Sequence, residues 1–213
     1  MSEHWREKLR RIAEKRATVE AFQSYHIGEG RALPFNYRWE HVQAVVGLAL
    51  RLARTLEADG EIVEAAAWLH DVCKLDEPHE ITGAEEAARL LLDSDFPQEK
   101  IPAVVHAILV HRGMARDAGA DPLEPVEAAI LWDADKLSKL GVQSLIYNVS
   151  APYANGYSMQ GRREQLSTLS QEVLERTVAS MNTEPGRRLA ERRYEEMMQA
   201  LEVWRREEEE QNA

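Results

Sequence analysis

EIVEAAAWLHDVCK, residues 61–74, decides the fold. Its run of alanines and leucine favours helix, and no Gly or Pro interrupts it. Yet it closes on an imidazole next to a carboxylate, His70-Asp71. Either group is costly to bury among apolar side chains unless a partner compensates. Two more polar residues sit in similar surroundings. His41, 29 residues earlier, shares a helical stripe with Ala44, Val45, Leu48 and Leu52. Asp135, 64 residues after Asp71, lies in the apolar-flanked LWDADKL (131–137). One divalent metal would satisfy all four side chains at once. Imidazole nitrogens with carboxylates suit Mn, Fe, Co, Ni or Zn better than Mg, which prefers oxygen throughout. His70 and Asp71 diverge by about 100° on a helix, so both reach one ion only near a helix end. The polar Lys74, Asp76, Glu77 and Pro78 follow directly.

The rest of the chain is read outward from this point. Residues 2–24 predict a charged helix capped by Ser2, and 28–37 a loop. A helix follows from Arg38 to Leu56, and Asp59-Gly60 breaks it. Residues 61–72 then form a short helix ending in the His-Asp pair. Thr82 is placed to cap a helix through Leu92, and Pro97 opens another to about His111 with Asp95 as its cap. The loop 112–125 precedes a helix from about 125 to Gly141. Further helices are expected at 142–150, 162–182 and 185–208, with a loop at 152–161. No segment alternates like a strand, so the expectation is an all-α fold, one domain over 1–213.

Composition narrows the function classes. The net charge of −11 disfavours extended nucleic acid as a partner, although a few cations beside a metal can still hold a small phosphate. Part of that excess is the acidic tail at 207–210. One cysteine, Cys73, excludes an internal disulfide and fits a reducing, cytoplasmic setting; it is read as a packing residue. MSEHWREKLRR lacks the apolar run of a signal peptide. The most apolar window, AVVGLALRLA (44–53), is too short for a bilayer and contains Arg51, so no membrane role is expected.

The ordered set His41, His70-Asp71, Asp135 resembles the HD-domain phosphohydrolase superfamily. The likeness covers roughly 36–145 and is nearest to compact bacterial HD hydrolases, which share features such as IPAVVHAILVHR (101–112) and DADKL followed by glycine. RRLAERRYEEMMQAL (187–201) is similar too, less specifically. The resemblance implies a helical HD-type bundle with a metal site in a central cleft, an HD core near 36–145 and C-terminal helices at about 157–208 packed on it. It implies His41, His70, Asp71 and Asp135 as metal ligands. Asp133 and Asp135 point about 200° apart, so only one can face the ion. The family's ligand precedes Lys/Arg-Leu, which selects Asp135. Asp133 is then a supporting or helix-stabilising acid.

Some members hold a second metal through extra histidines, and His79 (in HEITGA) and His111 occupy comparable positions. The alternative is that these two line the cleft and touch phosphate or water. His106 diverges from His111 by about 140° and is expected to pack elsewhere; His4 and His26 fall outside the motif. Phosphate-binding candidates are Arg38, one turn before His41, and Lys74, three after Asp71, with Arg112, Arg116 and Lys136 weaker.

The implied activity is hydrolysis of a phosphate ester or anhydride, in a nucleotide or other small phosphorylated molecule, by a metal-activated water. Asp71 would orient that water and His111 would give a proton to the leaving group. Alternatives are a di-iron HD-type oxygenase, which requires His79 and His111 as ligands, and a non-catalytic binding or regulatory module. The chain departs from its relatives at Ser138, where an acid is usual, at His111-Arg112-Gly113 in place of His-Ser-Phe, and in QSLIYNVS (143–150), which lacks a common arginine. These positions lie where the non-phosphate part of a substrate would sit. Trp68 and Trp132 are assigned to the core. The stripe Leu189, Tyr194, Met197, Leu201, Trp204 either docks on its own domain or forms a homodimer seam.

Overall fold

A computed structural model describes residues 4–28, 31–117 and 119–212. The cap expected at Ser2 lies outside them. Helices make up the fold, with no strand among the described residues. Among the described residues no helix is long and apolar enough to cross a membrane.

Helix α1 (Trp5–Ser24) is capped by His4, whose ring accepts from the Arg6 N–H at 3.4 Å. Its first N–H, on Trp5, goes to Asp95 Oδ1 at 2.6 Å. Asp95 therefore satisfies the start of α1, not the helix after Pro97. That later segment opens with a 3₁₀ turn, Gln98–Lys100, and continues as α5 (Ile101–Val110).

Helix α2 (Tyr37–Leu56) is capped by Asn36, and α3 (Gly60–Leu69) by Asp59, which accepts from the Glu61 and Ile62 N–H groups. The expected helix to 72 stops at Leu69 instead, and the chain turns through 70–75. Helix α4 (His79–Leu92) starts at His79, three residues before the anticipated cap. Thr82 lies within its first turn, donating to the Pro78 carbonyl at 3.3 Å.

Helix α6 (Val126–Leu137) is the hub: every residue from Ala128 to Leu137 is buried, and α2, α3, α5 and α10 pack around it. A helix enclosed on all sides is normally apolar throughout. The exceptions here, Asp133, Asp135 and Lys136, must find partners inside the protein. Gly141, at φ +92°, turns the chain into α7 (Val142–Ser150), a backbone conformation that a β-carbon would strain.

A 3₁₀ turn at Pro152–Ala154 leads to α8 (Met159–Leu169), capped by Ser158. The continuous helix expected over 162–182 is interrupted. A π-helical turn, Ser170–Leu174, separates α8 from α9 (Glu175–Ala179). The last helix, α10 (Glu184–Asn212), packs along α6, α7, α8 and α9. Leu189, Met197 and Leu201 are buried within the chain, with Tyr194 and Trp204 half-buried against the same core. The stripe thus docks on its own chain. Trp132 is in the core, while Trp68 is half-buried and stacks on Trp39. Cys73 is buried and unpaired, and burial pushes its thiol pKa up, as suits a packing residue.

Candidate metal centre

Five elements converge on one buried point. His41 comes from α2, His70 and Asp71 from the turn just past α3, and His79 from the first residue of α4. His111 follows the end of α5, and Asp135 comes from α6. The regular helix ends at Leu69, and the tight turn that follows carries both His70 and Asp71 to the site. All six are buried.

Asp71 is central. Its Oδ2 lies 3.6 Å from both His41 Nε2 and His70 Nε2. Its Oδ1 faces His111 Nε2 at 3.6 Å and His79 Nε2 at 3.9 Å. His41, His70 and Asp71 form one compact donor group; Asp71, His79 and His111 form another. Asp135 joins the first through its Oδ1, 3.4 Å from His41 Nε2.

The imidazole protons follow from what the far nitrogens touch. His70 Nδ1 faces the Ala67 carbonyl at 2.8 Å and His111 Nδ1 the Ile108 carbonyl at 2.5 Å. A carbonyl only accepts, so both Nδ1 atoms carry hydrogen and both Nε2 lone pairs point inward. Ser138 Oγ donates to the Asp135 carbonyl at 2.6 Å and therefore accepts from His41 Nδ1–H at 3.0 Å. His41 Nε2 and His70 Nε2, 3.3 Å apart, thus confront each other as two acceptors. A cation between them resolves that conflict, and the N₂O₂ donor set of His41, His70, Asp71 and Asp135 fits a transition metal.

Electrostatics keep the set ready for a metal. Burial pushes the His41 imidazole down to about 4 and His70 to about 3, although Asp71 pulls both the other way. Burial opposes charge on the two acids. It is overridden at Asp71 by His70 and Arg38, and at Asp135 by Lys136 and Lys139, so both carboxyls stay well below the usual range.

A pH dependence follows. Unfolded imidazoles titrate near ~6.5. The unfolded chain therefore binds more protons than the folded one as pH falls from there toward 4 and 3. Stability is full above that point and is lost on acidification, by about 2 kcal/mol per imidazole at pH ~5. Thermal melts of chelator-treated protein should show a midpoint roughly 8–16 °C lower at pH ~5 than at pH ~7. A flat profile would mean the two rings are not buried as neutral groups.

The cations sort into distinct positions. Arg38 is buried between Asp71 Oδ2 and Glu20 Oε1, each 2.6 Å away. Lys74 Nζ bridges Asp71 Oδ1 and His79 Nε2, both at 3.1 Å. Lys136 lies behind the site and donates to Asp135 and to the His111 carbonyl. Arg112 is exposed on Glu80, and Arg116 holds Asn182 and the Asp121 carbonyl away from the site. His106, expected to be packed, is exposed, its Nε2 within 2.9 Å of the Glu124 carbonyl. His4 and His26 are exposed as well. Asp133 faces away from Asp135, toward the start of α10.

The family model described as HD domain matches residues 38–140. Over these residues the chain matches the HD domain. YpgQ of Bacillus subtilis is 29% identical over 164 residues, 76% of this chain and 79% of its own. The crystal structure of YpgQ in complex with ADP superposes with a TM-score of 0.61 at 23% identity, covering 92% of this chain and 97% of that one. An HD-superfamily hydrolase from Bacillus thuringiensis gives 0.63 at 24% identity over 92% and 97%. These structures share the all-helical fold.

Three contributors escaped the sequence reading, two of them within residues 38–140. Ser138, noted there only as a departure, holds the His41 ring. Lys139 pairs with Asp135 from four residues on, a spacing that puts two side chains on one helix face and could have flagged it. Glu20, on α1, steadies Arg38 from outside the HD core, and no local pattern connects it to the motif.

Proposed function

We propose that this chain is a metal-dependent phosphohydrolase acting on a nucleotide or similar small phosphorylated molecule. The observation that carries the reading is Asp71, whose two oxygens face two separate pairs of inward imidazole lone pairs beside a cluster of cations. His41, His70, Asp71 and Asp135 would hold the first ion. Asp71, His79 and His111 offer a place for a second, on the Asp71 and His79 atoms that Lys74 also engages. A divalent transition metal there supplies Lewis acidity and an activated water.

The chain's own groups do the remainder. Lys74 and Lys139 are partly exposed at the cleft and neutralise phosphoryl charge, while Arg38, engaged on both sides, keeps Asp71 Oδ2 in place. Asp71 orients the attacking water. With its Nδ1–H held by Ile108 and no second ion bound, His111 Nε2 would take the proton lost by the attacking water and pass it to the leaving oxygen. The ADP bound by YpgQ supports a nucleotide as the substrate class.

The test is metal content per chain on protein purified without chelator, followed by hydrolysis of nucleoside di- and triphosphates with Mn, Fe, Co, Ni and Zn. At least one ion, lost in Asp135→Ala, with phosphate or pyrophosphate released, is the expected result. No ion after reconstitution would overturn the reading. Two irons with oxygen consumed in place of phosphate released would replace it with oxidative chemistry, and nucleotide bound without turnover with a regulatory module.

A further inference from the structure

His41 and Asp71 line a cleft of 350 Å³ whose wall includes Arg38, Lys74, Lys139 and Asn148. Asn148, Tyr153 and Leu169 also line a second cavity of 770 Å³, enclosed by the end of α7, the 152–154 turn, α8 and the π-helical turn. The two spaces therefore share a wall, and their chemistry differs. The inner one gathers cations. The outer one carries Tyr153, Tyr157, Leu166 and Val173, the amide of Gln165, and the carboxylates of Glu164 and Glu172. Its single cation among the described lining residues, Arg162, already donates to the Tyr157 carbonyl at 3.2 Å and to the Val149 carbonyl. A phosphate is attracted to the inner space and repelled from the outer, which suits an uncharged, ring-bearing group.

The outer wall is also prepared for such a group. Tyr153 is exposed, yet its hydroxyl is fixed on Asn148 Oδ1 at 2.6 Å, and the Asn148 amide is tied to the Ser144 carbonyl at 2.7 Å. The ring is held in place before anything binds, which lowers the ordering cost of binding. Tyr157 is exposed above Gly161, where a β-carbon would lie 3.4 Å from the Tyr157 ring. The π-helical turn at Ser170–Leu174, a geometry concentrated at functional sites, puts Val173 on the outer wall and Leu174 on the inner one.

We infer that the outer cavity is a nucleoside subsite, in which base and sugar lie against Tyr153 and Tyr157 while the phosphates reach Lys74 and Lys139. It rests on the reading of the inner site as a phosphate site. Aromatic stacking tolerates any base, so the subsite selects nucleotides over phosphates lacking a nucleoside more strongly than it selects among bases.

Calorimetric titration with ADP, GDP, CDP and UDP, each against inorganic pyrophosphate, tests this on wild type, Tyr157→Ala and Gly161→Leu. Turnover is measured on the same samples. Wild type is expected to prefer nucleoside diphosphate at least tenfold, and each variant to lower that preference at least fivefold. Equal binding of pyrophosphate and nucleotide by wild type overturns the subsite. So does a preference unchanged in both variants, or affinity for both ligands falling together. A preference present in wild type and lost in the variants, without turnover in any, upholds the subsite and removes the hydrolase reading instead.

Discussion

Asp71→Asn is expected to lower nucleotide hydrolysis by at least ~10³-fold while the helical circular-dichroism signal persists. The replacement keeps volume and shape but gives one side an NH₂ in place of an oxygen. Asp71 now offers an acceptor both to the His41–His70 pair and to the His79–His111 pair. Whichever way the amide turns, one pair of lone pairs meets a hydrogen-bond donor and not a shared ligand. Arg38 loses one carboxylate but keeps Glu20, so the fold has no buried cation left wholly unpaired. Metal content and turnover should fall together, with a melting point only a few degrees lower. Retention of a tenth or more of wild-type turnover would place the chemistry elsewhere.

Asp133→Ala should show the opposite pattern. Asp133 is fully buried, and its carboxylate accepts from the Asn182 and Thr183 N–H groups at 2.8 Å each, the Thr183 hydroxyl at 2.7 Å and the Asn182 amide at 3.1 Å. It thus anchors the start of α10 to the hub helix. Removal strands several donors and leaves a cavity, at about 3–5 kcal/mol, or roughly 8–15 °C in melting midpoint. Gly186→Ala should destabilise in the same direction from the other side, because an added β-carbon would overlap Asp133 Oδ2 and lie 2.7 Å from Thr183 Oγ1. Below its lowered midpoint, Asp133→Ala should keep its metal and most of its turnover. Loss of metal with an unshifted midpoint would mean the roles of Asp133 and Asp135 are interchanged.

Much of this arrangement is legible in the sequence because it rests on angles along single helices. The 200° between Asp133 and Asp135 separates an acid facing the site from one facing α10, and the structure separates them that way. The need for a helix end at His70-Asp71 is likewise met. The errors concern choices made between distant segments. Asp95 precedes Pro97 and has the chemistry of a local cap, yet Trp5 N–H claims it from 90 residues away. Thr82 has the same chemistry and is simply enclosed in a helix that begins at His79. The break at Ser170–Leu174 leaves no Gly or Pro as a marker, so periodicity reads one helix there. Glu20 and Ser138 act through other side chains, and spacing along the chain carries no trace of that.

His70 and His111 each bind the carbonyl three residues back, the last turn of α3 and of α5 respectively. Those carbonyls lie in the last turn of each helix, where intrahelical partners run out, and Ile108 has besides the ring only a long bond from the His111 N–H at 3.4 Å. Each ring is consequently both a donor to the centre and the fastener of its own helix terminus. Ordering of the rings and fraying of the two termini are thereby coupled, so an ion at the centre would damp local opening along α3 and α5. An ion held at one point would be felt as slower amide exchange in backbone that never touches it.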